Sequence, residues 1–157
     1  MKNAYIHYGS SKYDPVKFKP IKNQLLWVKS EGGLWASPKD AFFGWKEWCE
    51  GARFDGCNTD ISFEFTLASN AMILQINCTD DLIDLPKADL PKEIPSRTFS
   101  WLALLDFEKI LSSGVDAIQV NMSNDPARGW DNGLYNALYG WDCDSILVMN
   151  KDVVICE

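Results

Sequence analysis

The chain contains one imidazole, at His7, which closes a short apolar run and leads directly into Tyr8-Gly9-Ser10. Two other stretches carry residues able to act with it. Gly32-Gly33-Leu34-Trp35-Ala36-Ser37 presents an indole and a hydroxyl, and Trp141-Asp142-Cys143-Asp144-Ser145-Ile146-Leu147-Val148 presents two carboxylates ahead of an apolar strand. An imidazole changes charge near neutral pH, an indole face attracts a planar cation, and a carboxylate stabilises developing positive charge. Other chemistry is less well served. With a single histidine, only a Cys-His7 pair can activate a thiolate in the usual way, and no spacing singles out Cys49, Cys57 or Cys143. Asp80, Asp81, Asp142 and Asp144 lack the spacing of a calcium loop, so no metal site is expected.

The elements that must position these residues are short. Residues 4–7 read as a strand ending at Gly9-Ser10, residues 25–28 resume a strand pattern, and 33–36 form the next strand. Ser37-Pro38-Lys39-Asp40 carries helix-start chemistry, a capping hydroxyl followed by proline and an early carboxylate, which predicts a helix over 38–49. Apolar and polar residues alternate over 61–67 and again over 71–76 around Ser69-Asn70, the pattern of a hairpin. A short capped helix is expected over 79–85, a proline-marked loop over 86–95, and a helix over 100–113 closed by Gly114. Strands are expected over 116–120, 145–149 and 153–156, with a long loop over 121–133. Strand and helix do not alternate strictly, so the fold class is α+β around a mixed, mainly antiparallel sheet with two or three helices.

Composition narrows the partners. The 157 residues fit one domain, residues 1–157, with a single core. Seven Trp, eight Phe and five Tyr exceed what core packing needs, which leaves rings for a pocket or an interface. A net charge of −7 repels a phosphate backbone and makes nucleic acid an unlikely partner. The cysteines are odd in number and scattered, which predicts reduced thiols in a cytoplasmic protein. No apolar stretch approaches the length of a spanning helix or a signal peptide, so no membrane association is expected.

The order of these segments resembles the ADP-ribosyltransferase superfamily, in the branch whose NAD site is built from a histidine, an aromatic and an acidic residue. The resemblance runs from His7 to about Met149 and implies that family's split β-sheet. It implies NAD as substrate, with His7 on the ribose and Tyr8, Gly9 and Ser10 beside it. Tyr8 stands between His7 and Gly9, where many members have the two adjacent. Trp35 occupies the place of a tyrosine that stacks on nicotinamide, Ser37 that of a hydroxyl near the amide, and Phe43 or Trp45 that of a second ring. The family's acid, most often glutamate, falls on Asp144, directly before the apolar strand, or on Asp142, on the same face by the strand's period of two.

What the resemblance implies is a mono-ADP-ribosyltransferase acting on a protein or small-molecule acceptor. The alternative is a catalytically inactive relative that binds a protein partner or acts as an inhibitor. A NAD glycohydrolase, with water as acceptor, is a further reading.

Overall fold

The computed structural model describes residues 3–24, 27–89, 104–123 and 133–156. Among them are seven strands in one open sheet: β1 (Ala4–Tyr8), β2 (Leu34–Pro38), β3 (Ser62–Leu67), β4 (Ile73–Ile76), β5 (Ala117–Val120), β6 (Ser145–Val148) and β7 (Val154–Ile155). Two α-helices accompany them, α1 (Trp45–Ala52) and α2 (Phe107–Ser112), with short 3-10 turns between. The strand order is β4-β5-β6-β2-β1-β3-β7, antiparallel throughout except for the parallel pair β4 and β5. The fold is therefore α+β around a mixed sheet.

Alternation along the central strands separates two apolar faces, because successive strand side chains point to opposite sides. Ile118, Val120, Leu147 and Met149 pack with Phe107 and Ile110 of α2 and with Leu138 and Trp141. Leu34, Ala36, Ala117, Ile146 and Val148 lie on the other side with Tyr5, Phe63 and Phe65. Every residue of β5 and β6 is buried, which makes these two strands the middle of the core.

α2 is held at its start by polar groups from far away in sequence. Asp106 accepts the Lys109 N–H, and the Asn23 side chain accepts the Phe107 N–H at 2.8 Å while donating to Asp106 at 2.7 Å. These bonds satisfy amides that a helix cannot satisfy internally. Gly114 follows with φ +95°, the left-handed conformation expected of a residue that ends a helix.

Several sequence expectations are corrected. The segments 61–67 and 71–76 both contain strands but do not form a hairpin: β3 pairs with β1 and β7, whereas β4 lies at the opposite edge beside β5. Cross-strand partners are set by the faces these strands bury, not by the nearby Ser69-Asn70 turn. The helix expected over 38–49 begins only at Trp45, since Ser37 and Pro38 finish β2 opposite Ile6 and Tyr5. The helix expected over 100–113 begins at Phe107, and residues 100–103 lie outside the described residues. Trp27 and Val28 are not in a strand, and residues 25 and 26 are outside the described set, as are 90–95 of the proline-marked loop and 124–132 of the later one.

The cysteines depart from expectation as well. Cys49 and Cys57 form a disulfide, with Cα atoms 6.0 Å apart, while Cys78, Cys143 and Cys156 are free. Arg53, in the left-handed region at φ 50°, turns the chain back after α1 and brings residue 57 beside residue 49. That pairing depends on a turn that no sequence spacing announces.

Candidate functional site

β2 serves two neighbours in succession. Its first three residues, Leu34 to Ala36, pair with β6, and its last two, Ser37 and Pro38, pair with β1. The pairing of β1 with β2 therefore ends at Ile6 and Ser37, and the strands part beyond them. The His7 imidazole bridges the gap: its Nδ1 lies 2.7 Å from the Trp35 carbonyl. A carbonyl only accepts, so Nδ1 carries the proton, and in the neutral ring Nε2 is left with its lone pair. The Phe63 ring, 5.0 Å from the imidazole between centroids, packs against it.

A cavity of about 390 Å³ opens beside this gap. It is large enough for a small organic ligand or one end of a dinucleotide. β1 contributes Ile6, His7 and Tyr8; β2 contributes Trp35, Ala36 and Ser37; α1 contributes Trp45; the chain before β6 contributes Gly140, Asp142 and Cys143; and β6 contributes its first residue, Ser145. Among the described residues Lys29 is the one ammonium on the wall.

α1 is fitted to this wall by short-range chemistry. Ser37 Oγ accepts the Trp45 N–H at 2.9 Å, and the Glu47 carboxylate accepts the Gly44 N–H at 3.0 Å, so the two first-turn amides are satisfied from different directions. Gly44 is needed there for room: a Cβ would come within 3.1 Å of the Ser37 Cβ. Ser37 is thus not the N-cap its residue type suggested, a place taken by Gly44, but from within β2 its hydroxyl accepts the first amide of α1. Trp45 stacks on Trp48, with centroids 5.0 Å apart and planes 18° from parallel, and Trp48 contacts Phe54 in the disulfide-closed loop.

Trp35 is held on two sides. Trp141, only 1% exposed, meets it edge-on at 4.6 Å between centroids, and Lys29 Nζ lies 4.9 Å from its ring centre. Burial pushes the Lys29 ammonium below its usual range, while Asp142 and Cys143 pull it back up. Burial likewise pushes the Cys143 thiol up to about 11, against the lowering effect of Lys29 and of a hydrogen bond from Ser145. A thiol in that state is not a nucleophile near neutral pH. Tyr8 is raised by burial and then by Glu47, Glu50 and Glu64, so its hydroxyl stays protonated.

Of the residues expected from sequence, His7, Tyr8, Trp35, Ser37, Trp45 and Asp142 line this cavity. Gly9, Ser10, Phe43 and Asp144 do not. Gly9 turns the chain at φ +95° with its N–H on the Ile61 carbonyl, and the Ser10 hydroxyl is used locally on the Lys12 carbonyl. The Phe43 carbonyl accepts the Asp144 N–H at 2.9 Å, which ties the chain ahead of α1 to the start of β6. The Asp144 side chain is 5% exposed and accepts both the N–H and the hydroxyl of Ser123. The carboxylate on the cavity rim is Asp142, which is exposed. Lys29 escaped the sequence reading because a lysine beside a serine has no distinguishing pattern.

Among the described residues no helix is long and apolar enough to cross a membrane. No protein-family model matches the chain, and no match to it was found among the curated proteins or the solved structures.

Proposed function

We propose that the cavity takes the nicotinamide end of NAD and that the protein is a mono-ADP-ribosyltransferase. The observation that carries this reading is that an imidazole, an indole and a carboxylate from three distant stretches, at His7, Trp35 and Asp142, open on the same 390 Å³ cavity. In this reading His7 Nε2 accepts a hydrogen bond from a ribose hydroxyl, and Trp45 and Trp35 wall the nicotinamide ring. The bond between the ribose C1′ and the nicotinamide nitrogen breaks, and neutral nicotinamide leaves with the electron pair. Asp142 stabilises the cation-like sugar in that transition state. The acceptor then bonds to C1′ and loses its proton.

Asp142 replaces Asp144 as the acid, because the Asp144 carboxylate is committed to Ser123. The acceptor is a protein or a small molecule. The cytoplasmic location expected from the cysteines forms no part of the proposal, since the Cys49–Cys57 disulfide suits an oxidising compartment better.

The test is nicotinamide release from NAD by wild type, His7→Ala, Asp142→Asn and Asp144→Asn, with calorimetry of NAD binding beside it. Release that falls at least tenfold in the first two variants is expected. Equal background release in all four proteins removes the enzymatic assignment.

A second reading, an inactive protein-binding module, is favoured by the exposed rings of Trp27, Phe42 and Tyr139 together with the net charge of −7. It predicts no heat with NAD and a protein retained on the immobilised chain.

A further inference from the structure

Lys29 has no place in the reaction outlined above, yet among the described residues it is the cation of the cavity wall. Its Nζ lies 4.9 Å from the centre of the Trp35 ring. No carboxylate stands within 4.0 Å of it among the described residues, where the ion pairs are Lys17–Asp14 and Lys39–Glu64. The Lys29 stem runs past Gly140, whose φ of +85° favours glycine, with Cε 3.5 Å from where a Cβ would begin. Among the described residues the ammonium is thus led over the indole, with that ring face, Asp142 and Cys143 as its electrostatic partners.

An ammonium in that position has a consequence for any ligand. It occupies the indole face that would attract a cationic ring, so a ligand whose only charge is positive meets repulsion there. A ligand that also carries an anionic group gives the ammonium a stronger partner and frees the face. We propose that Lys29 makes this cavity select ligands that join a planar ring to an anionic group, a phosphate in the case of NAD, and reject the same ring without the anion. The assignment of the phosphate rests on the NAD reading; selection for an anion does not.

Calorimetry with four probes separates the two. Nicotinamide riboside carries the cationic ring alone, nicotinamide mononucleotide adds one phosphate, NAD adds the pyrophosphate and adenosine, and inorganic pyrophosphate supplies the anion alone. The variants are Lys29→Met, which keeps the stem length without the charge, and Lys29→Arg, which restores it, each checked for an unchanged thermal midpoint.

Wild type is expected to bind the mononucleotide at least tenfold tighter than the riboside. Lys29→Met should bring the two within about threefold, with the riboside binding tighter than it does to wild type, and Lys29→Arg should recover the preference. The same mononucleotide-to-riboside ratio in wild type and Lys29→Met overturns the proposal. If none of the three nicotinamide compounds binds wild type, the NAD reading is lost and pyrophosphate decides. Binding of pyrophosphate to wild type and Lys29→Arg but not to Lys29→Met sustains anion selection without nicotinamide. Pyrophosphate binding that is absent, or indifferent to Lys29, overturns that too.

Discussion

The His7 imidazole donates from Nδ1 to the Trp35 carbonyl at 2.7 Å, at the point where β1 and β2 part. A main-chain acceptor that the neighbouring strand no longer reaches is thereby satisfied by a side chain. The same bond fixes the tautomer and turns Nε2 into the acceptor available to a ligand.

Removing that ring should cost stability as well as binding. His7→Ala leaves a partly buried carbonyl short of a donor, so a loss of about 1–2 kcal/mol is expected in urea denaturation. His7→Asn restores a side-chain donor at this position and should recover part of that stability without recovering NAD binding. Long-range nitrogen–proton correlation spectra of the neutral ring should report Nδ1 as the protonated nitrogen. A proton on Nε2 would contradict the bridge to Trp35.

The two aspartates before β6 should separate cleanly. Asp144 accepts two hydrogen bonds from Ser123 in a buried setting, so Asp144→Ala should destabilise the fold by about 1–3 kcal/mol through the donors left behind. Asp142 is exposed on the cavity rim, and Asp142→Asn should leave the denaturation midpoint within about 0.5 kcal/mol of wild type. If the transferase reading holds, only the second substitution lowers nicotinamide release without touching stability.

The disulfide should matter for α1. Cys49–Cys57 closes a short loop with a sequence separation of 8, and chain entropy alone assigns such a closure about 2.5 kcal/mol. Cys57→Ser, or treatment with a dithiol reductant, should lower the thermal midpoint and raise amide exchange over residues 45–57. Trp45 reaches the cavity wall from this helix, so near-ultraviolet circular dichroism of the stacked Trp45 and Trp48 rings should weaken in parallel. Unchanged exchange over that segment would show that the loop holds its place without the bond.

Local signals in the sequence located most strands, and long-range relations escaped it. Alternation found β3 and β4, yet their apparent hairpin dissolved because the faces they bury belong to different neighbours. Ser37 and Pro38 read as a helix start but end a strand; the helix starts eight residues after Ser37 with Gly44 as its N-cap, and Ser37 only accepts its first amide from across the turn. His7, Trp35 and Asp142 were legible as chemistry-bearing types at strand ends. Asp144 was misjudged because strand position says nothing of Ser123, whose hydroxyl and amide claim it. Lys29 and the Cys49–Cys57 bond required coordinates, since each depends on how separate segments are brought together.

Cys143 supplies a pH dependence whose sign is fixed by its burial. Its folded thiol is pushed up to about 11 from an ordinary 9.0. Between those values the unfolded chain has lost this proton while the folded chain keeps it, so the unfolded state binds fewer protons and stability falls as pH rises. The contribution is fully present below pH 9 and is lost on passing toward pH 11, in total on the order of 2–3 kcal/mol. Denaturation midpoints of wild type should therefore decline across that window more steeply than those of Cys143→Ala, which lacks the group. Alkylation gives an independent measure: at pH 8 only about one thiol in a thousand at Cys143 is ionised, so iodoacetamide should modify the exposed Cys156 and spare Cys143. Rapid labelling of Cys143 in the folded protein at pH 8 would show a thiolate held beside Lys29, and the alkaline decline should then be absent.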